Sequence, residues 1–113
     1  MRLYEGKLNI RTQPWGSKEF ISFSFNGGFR QGSTAYMVSQ WSQDNSGPKP
    51  IYCFEGTITK LDENKIEIFF DEESSFLWFN GEIRQDRLFL AMTRQGHYTL
   101  GEAMLTLAFN DED

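Results

Sequence analysis

The chain has few of the residues that small proteins use for crosslinking or metal chemistry: its 113 residues include one cysteine, one histidine and three prolines. Cys53 has no second cysteine with which to form an internal disulfide, so the sequence does not indicate an oxidising compartment. One histidine and one cysteine also fall short of the usual ligand sets of structural zinc. We therefore expect neither a metal nor a cofactor.

Long apolar segments are absent too. No stretch reaches the roughly 18 apolar residues of a membrane-spanning helix. The first ten residues, MRLYEGKLNI, lack the apolar core of a secretory signal. The sequence therefore predicts a soluble, cytoplasmic protein with no membrane contact.

Positive charge is scarce in the second half of the chain. Residues 1–50 hold six Lys or Arg against three Asp or Glu, whereas residues 51–113 hold five against thirteen, and the net charge is −5. A concentrated basic face, which nucleic-acid binding usually needs, is missing, so we expect no nucleic-acid partner. The acidic clusters are typical of solvated turns; alternatively, they form a face for a basic protein partner.

What the sequence does have is a period of two. Apolar and polar residues alternate along nearly the whole chain, and no segment of twelve or more residues shows a helical period. The pattern predicts eight strands, at residues 2–11, 19–26, 34–42, 51–60, 65–71, 75–84, 87–95 and 97–109. Short links with turn residues join them, which predicts an antiparallel meander. We expect a single domain over residues 1–113 with a short acidic tail at 110–113.

One hairpin pattern recurs. FEGTITKLDENKIEIFF (54–70) nearly returns as FNGEIRQDRLFLAM (79–92), and more faintly as YEGKLNI…ISFSF (4–25). Each copy places a glycine on the apolar face of the first strand, across from a bulky residue of the second. The predicted pairs are Gly81 with Leu90, Ile83 with Leu88, Phe79 with Met92, Gly56 with Ile68, Ile58 with Ile66, Gly6 with Phe23 and Leu8 with Ile21. Glycine at such a position bends or coils a sheet, and three bends favour closure.

The sequence thus predicts an all-β protein, an eight-stranded up-and-down β-barrel, with an open or two-layer β-sandwich as the alternative. In strand count, meander order and its FEGTI…KIEIFF hairpins, the chain resembles the calycin-like barrels, the lipocalin and avidin group. Lipocalins carry Gly-x-Trp on the first strand, whereas here Trp15-Gly16 follows it. The resemblance implies the barrel fold, and no binding residue is inferred from it.

The sequence does not indicate a set of catalytic residues. His97 lies beside Gly96 at a predicted turn, and Cys53 has no base indicated beside it. Four glutamates, at positions 5, 55, 67 and 82, share the parity opposite to the apolar face and are expected to point to solvent. The sequence therefore favours a protein that is not an enzyme, and a small barrel enzyme with a shape-complementary cavity is the third hypothesis.

The first hypothesis is a non-enzymatic barrel that holds a small apolar or amphipathic ligand and forms a homodimer. An eight-stranded barrel either holds one small ligand or is filled by its own side chains, and both outcomes remain open. Tyrosine hydroxyls near an apolar interior would orient a ligand. The candidate ligand-binding residues are Tyr4, Tyr36, Tyr52, Trp41 and Tyr98.

The alternative hypothesis places function on the outer wall. Phe69, Phe76, Trp78 and Phe89 have the parity opposite to the inward residues on three consecutive strands, which predicts one contiguous apolar patch. Aromatic side chains are enriched in protein interfaces. The patch predicts a homodimer, or an acidic-rimmed docking site of the inhibitor or immunity type for another protein. In a sandwich, these residues would face a second layer instead.

Overall fold

The computed structural model describes residues 1–10, 18–42, 51–72, 75–94 and 98–111. Eight strands occupy most of these ranges: β1 (Arg2–Ile10), β2 (Lys18–Phe25), β3 (Thr34–Ser42), β4 (Ile51–Asp62), β5 (Lys65–Glu72), β6 (Ser75–Arg84), β7 (Arg87–Arg94) and β8 (Tyr98–Asn110). Every strand bound lies within about two residues of its predicted position. Over the same ranges, no helix is long and apolar enough to span a bilayer.

The sheet closes on itself. Each strand pairs antiparallel with the next along the chain, and β8 pairs with β1. The predicted eight-stranded up-and-down barrel, calycin-like in its architecture, is therefore confirmed, and the sandwich alternative is wrong. Closure gives every strand a neighbour on each side, although β4 pairs with β3 over residues 51–57 and with β5 over residues 57–62.

Phenylalanine rings occupy the middle of the barrel. Phe23 on β2 contacts Phe79 on β6 and Phe70 on β5, with ring centroids 5.1 and 6.0 Å apart. These strands are not neighbours in the sheet, so the contacts cross the interior. The buried apolar set is Tyr4, Leu8, Ile21, Phe23, Phe25, Ala35, Met37, Ile58, Ile66, Ile68, Phe70, Phe79, Leu88, Leu90, Met92, Ala103 and Leu105. Side chains thus fill this part of the barrel, the second of the two outcomes expected for its size.

Three glycines mark places where neighbouring strands come close. A Cβ atom on Gly6 would lie 2.1 Å from the carbonyl oxygen of Met104, and one on Gly81 would lie 1.8 Å from that of Phe89. A Cβ on Gly56 would lie 2.5 Å from the Phe69 carbonyl oxygen. Since these are backbone atoms of the adjacent strand, no side chain fits without moving that strand.

The predicted hairpin register is right in one copy and shifted in two. Gly81 pairs with Leu90 as expected, because a two-residue turn fixes the β6–β7 register. Ile58 pairs with Ile68 instead of Ile66, since β4 runs to Asp62 and carries a bulge after Ile58. In the first copy the shift is also two residues: Gly6 pairs with Ile21 instead of Phe23, and Leu8 with Glu19 instead of Ile21. A shift of two keeps every side chain on its face, so the inward set survives.

One end of the barrel is plugged by its own chain. Phe29, in the connection between β2 and β3, packs against Tyr4 and Phe25 with ring centroids 5.9 and 5.0 Å away. The connection is tied to β4, because Gly32 N–H donates to the Ile58 carbonyl at 2.8 Å. We call this the plugged end. At the opposite end, β1, β3, β5 and β7 finish, and the four connections that follow them lie outside the described residues.

Candidate binding surfaces

Two of the predicted ligand-binding tyrosines do not line a cavity. Tyr4 is 2% exposed and packs edge-on against Phe25, so it belongs to the core at the plugged end. Tyr36 is 39% exposed and lies between buried Ala35 and Met37. Adjacent residues of a strand point to opposite faces, so Tyr36 lies on the outer wall. The expectation that its hydroxyl reaches the interior is wrong.

A third tyrosine does lie on the inner wall. Tyr52 pairs with Ser39, which is buried at 3% exposure, and its ring stacks on Phe54 with centroids 6.3 Å apart and planes 2° from parallel. Directly opposed residues share a face, so Tyr52 faces inward. It is nevertheless 45% exposed, because it lies near the opposite end. For Trp41 and Tyr98 the backbone is placed in β3 and β8, but the side chains lie outside the described residues.

The inner wall at the opposite end is apolar and partly accessible. Phe54, Leu77 and Leu100 are only partly buried while packing against the core. On the β3–β4 part of this wall, Tyr52 stacks on Phe54 and pairs with the buried Ser39, so apolar side chains and two hydroxyl groups lie together. Such a lining suits an apolar group with one polar atom. The phenylalanine rings in the middle limit how deeply such a group can enter.

Three of the four predicted interface residues form a cluster on the outer wall. Phe69 lies 4.9 Å from Trp78 and 5.8 Å from Phe76 between ring centroids, and Phe76 lies 6.1 Å from Trp78. Cross-strand pairing brings them together, because Phe69 on β5 is directly opposite Trp78 on β6. Phe76 is 45% exposed. We call Phe69, Phe76 and Trp78 the aromatic trio.

The fourth residue, Phe89, lies apart from the trio. It pairs with Glu82 on β6, whereas Trp78 pairs with Thr93. The intervening outward pair is Asn80 with Ala91, which is polar and small. The prediction of one contiguous four-residue patch is therefore wrong, because register separates Phe89 from the trio by about four residues along the strand, roughly 13 Å.

Carboxylates border the trio. Glu67 and Asp71 lie two residues to either side of Phe69 on β5, on the same outer face, and Asp71 pairs with Phe76. The Glu67 carboxylate accepts a hydrogen bond from the Thr59 hydroxyl at 2.9 Å, while Asp71 is exposed. Lys60 on β4 pairs with Glu67, and Lys65 lies four residues from Phe69, so the acidic character of the border is strongest at Asp71. The trio is therefore an apolar surface with an acidic border.

A second exposed apolar surface was not predicted. Phe20, Tyr36, Val38 and Ile51 are exposed at 48%, 39%, 40% and 62%, and Cys53 is exposed beside them. We call these five residues the β2–β4 face. Its sequence signal is the run of unbroken apolar residues on three strands, in FI (20–21), YMV (36–38) and IYCF (51–54), where strict alternation would place polar residues outside.

Over the described ranges, no group of three His, Cys, Asp or Glu side chains is placed to hold a metal ion. Comparisons with protein-family models, with curated proteins and with solved structures gave no match to the chain. The function has to be inferred from the chemistry of these surfaces.

Proposed function

We propose that this barrel is a protein-interaction module that docks a basic segment of another protein on the aromatic trio. The observation that carries the proposal is the trio itself, three aromatic rings in mutual contact on an outer wall, bordered by Glu67 and Asp71. Aromatic side chains that cluster on a surface supply large contact area at little entropic cost, and they dominate binding energy in interfaces.

The acidic border selects the kind of partner. A Lys or Arg that reaches the trio would contact Phe76, the exposed ring of the three, and a cation–π contact at such a site contributes about 0.5–2 kcal/mol. The same cation would lie beside the carboxylate of Asp71, which pairs with Phe76, and a carboxylate there also favours encounter with basic proteins. A second copy of this chain would instead bring its own Glu67 and Asp71 to the interface and carries the same net charge of −5.

The interior supports an interaction module over a carrier with a deep cavity. Phe23 is fully buried and bridges the barrel to Phe70 and Phe79, so the middle is occupied by side chains. A ligand that entered the middle of the barrel would have to displace these rings. The outer wall is then the larger surface for recognition.

Matched peptides test the proposal. The basic peptide Lys-Leu-Lys-Leu-Lys and the acidic peptide Glu-Leu-Glu-Leu-Glu, both with blocked termini, are titrated into labelled protein while amide chemical shifts are recorded. We expect the basic peptide alone to shift resonances of residues 67–71 and 76–80, and added salt to weaken the effect. Equal shifts from both peptides, or shifts spread evenly over the barrel, would contradict the proposal.

A matched pair of variants assigns the effect to the trio. Trp78→Ala removes one member of the trio, whereas Phe109→Ala removes another aromatic ring, which is 48% exposed on β8. We expect Trp78→Ala to weaken binding of the basic peptide at least tenfold, about 1.4 kcal/mol, and Phe109→Ala to leave the affinity unchanged. If both variants bind like the wild type, the trio is not the site.

A small apolar ligand at the opposite end is a second candidate function. It is favoured by the half-exposed Tyr52 stacked on Phe54 on an inner wall that also holds the buried Ser39. Native mass spectrometry with solvent extraction would reveal a bound molecule, and a lipophile panel would then raise the melting temperature of the wild type. Tyr52→Ala is expected to abolish that rise, and Tyr36→Ala on the outer wall to preserve it. Absence of any bound molecule or melting shift counts against this candidate.

A further inference from the structure

We infer that the β2–β4 face is the surface through which two copies of this chain associate as a weak, reversible dimer. This inference goes beyond the proposed function, because it concerns a different wall of the barrel and a different partner. The aromatic trio lies on β5 and β6, whereas this face lies on β2, β3 and β4.

The β2–β4 face is contiguous by register. Val38 lies directly opposite Cys53, and Gln40 lies between Phe20 on one side and Ile51 on the other. Phe20 and Ile51 are therefore each one diagonal step from Val38, a separation that large side chains bridge. Val38 is the centre of the surface, and its neighbours on both adjacent strands are outward-facing.

Charge points to a second copy as the partner. The nine outward positions around Val38 are Phe20, Ser22, Ser24, Tyr36, Val38, Gln40, Ile51, Cys53 and Glu55. Only Glu55, at one corner, is acidic, and none is basic. Two copies that each carry a net charge of −5 repel each other least when they associate through such a neutral wall. A basic partner would gain nothing here and is drawn to the acidic border of the trio.

A two-fold axis that runs along β3, in the plane of the interface, makes the face complementary to itself. Val38 then meets Val38 of the second copy, and Phe20 meets Ile51 of the second copy. Glu55 meets Ser24 of the second copy, so no like charges are opposed. Such an interface is isologous, as in most dimers, and stacks two sheets about 10 Å apart.

The size of the face predicts weak binding. Three strands cover about 14 Å across the sheet, and the five residues from Tyr36 to Gln40 cover about 17 Å along it, which gives roughly 240 Å² per copy. Stable interfaces bury about 800 Å² per partner. We therefore expect a dissociation constant in the range of about 100 µM to 1 mM, weaker than the micromolar to picomolar values of standard-sized interfaces.

Sedimentation equilibrium from about 10 µM to about 1 mM measures the association directly. We expect a monomer–dimer equilibrium for the wild type, only monomer for Val38→Asp, and wild-type behaviour for Phe109→Asp, which places the same charge at an exposed site outside the face. Both substituted side chains are exposed, so both variants should keep the wild-type melting temperature to within a few degrees. A wild type that stays monomeric throughout, or a Val38→Asp variant that still dimerises, would overturn the inference.

The single cysteine gives a second, geometric measurement. In the proposed dimer the two Cys53 residues are about 10 Å apart across the interface and about 10 Å apart sideways, which is roughly 14 Å in total. A bis-maleimide of about that length should crosslink the wild type and Phe109→Asp but not Val38→Asp.

The peptide experiment on the trio tests a separate surface. Val38→Asp should bind the basic peptide normally, and Trp78→Ala should dimerise normally. Loss of dimerisation in Trp78→Ala would move the interface to the trio and refute this inference.

Discussion

Gly81→Ala is the substitution that the barrel should tolerate least for its size. The new Cβ would lie 1.8 Å from the carbonyl oxygen of Phe89, whereas real Cβ atoms keep at least 3.0 Å from such atoms. The β7 backbone would have to retreat by more than about 1 Å, which disturbs the ladder hydrogen bonds beside the Gly81–Leu90 pair. Two weakened hydrogen bonds at about 1 kcal/mol each, and about 1–3 kcal/mol of overpacking strain, predict a loss of about 3–5 kcal/mol.

The assay is reversible unfolding in urea, followed by circular dichroism and extrapolated to water. Gly27→Ala is the matched control, because nothing lies within 4 Å of its added Cβ and its backbone is not left-handed. We expect Gly27→Ala to change stability by no more than about 0.5 kcal/mol. A Gly81→Ala variant within about 1 kcal/mol of Gly27→Ala would refute the reasoning that close strand approach at this glycine holds the barrel closed.

Two further substitutions test the interior and a turn by the same measurement. Phe23→Ala should lower the free energy of unfolding by about 3–5 kcal/mol, because the fully buried Phe23 ring spans the barrel. Its control, Phe109→Ala, should lower it by less than about 0.5 kcal/mol, and equal losses would show that the interior is not packed. Gln85→Gly should stabilise the protein by about 0.5 kcal/mol, since Gln85 has a φ of 56°, which suits glycine. Asp86→Gly should destabilise the protein by a similar amount, and the opposite signs would contradict the turn geometry.

Alternation alone was enough to predict the strands and most of the inward residues. A period of two assigns faces locally, and turn residues bound each strand, so neither inference needs the third dimension. Register depends on the length of each connection. It was right where Gln85 and Asp86 form a two-residue turn, and wrong by two residues where β4 continued to Asp62.

The candidate sites were less predictable, because patches depend on register between strands as well as on parity. Parity groups Phe69 with Trp78 correctly, since they lie directly opposite each other, but parity alone also groups Phe89 with them. The prediction that Tyr36 faces the interior is wrong, because its neighbours Ala35 and Met37 are the inward residues. Its strand is apolar on both faces, so alternation does not identify which face is buried.

Phe29 shows a further limit of sequence reasoning. It lies in a glycine-rich connection that predicts only a loop, yet its ring packs on Tyr4 and Phe25 and the Arg2 guanidinium lies 4.4 Å from its centre. A loop side chain that plugs a barrel leaves no periodic signal. The plug at this end of the barrel is therefore seen only in the three-dimensional structure.

Photo-crosslinking from position 78 tests the central claim most directly. A benzophenone amino acid replaces Trp78 in one variant and Phe109 in another, each variant is expressed in the native cell, and crosslinked peptides are identified by mass spectrometry. The account predicts that position 78 captures a different protein, at a segment rich in Lys or Arg, that position 109 does not, and that Asp71→Lys reduces the capture. Equal crosslinking from the two positions, or crosslinking from position 78 only to a second copy of this chain, would contradict it.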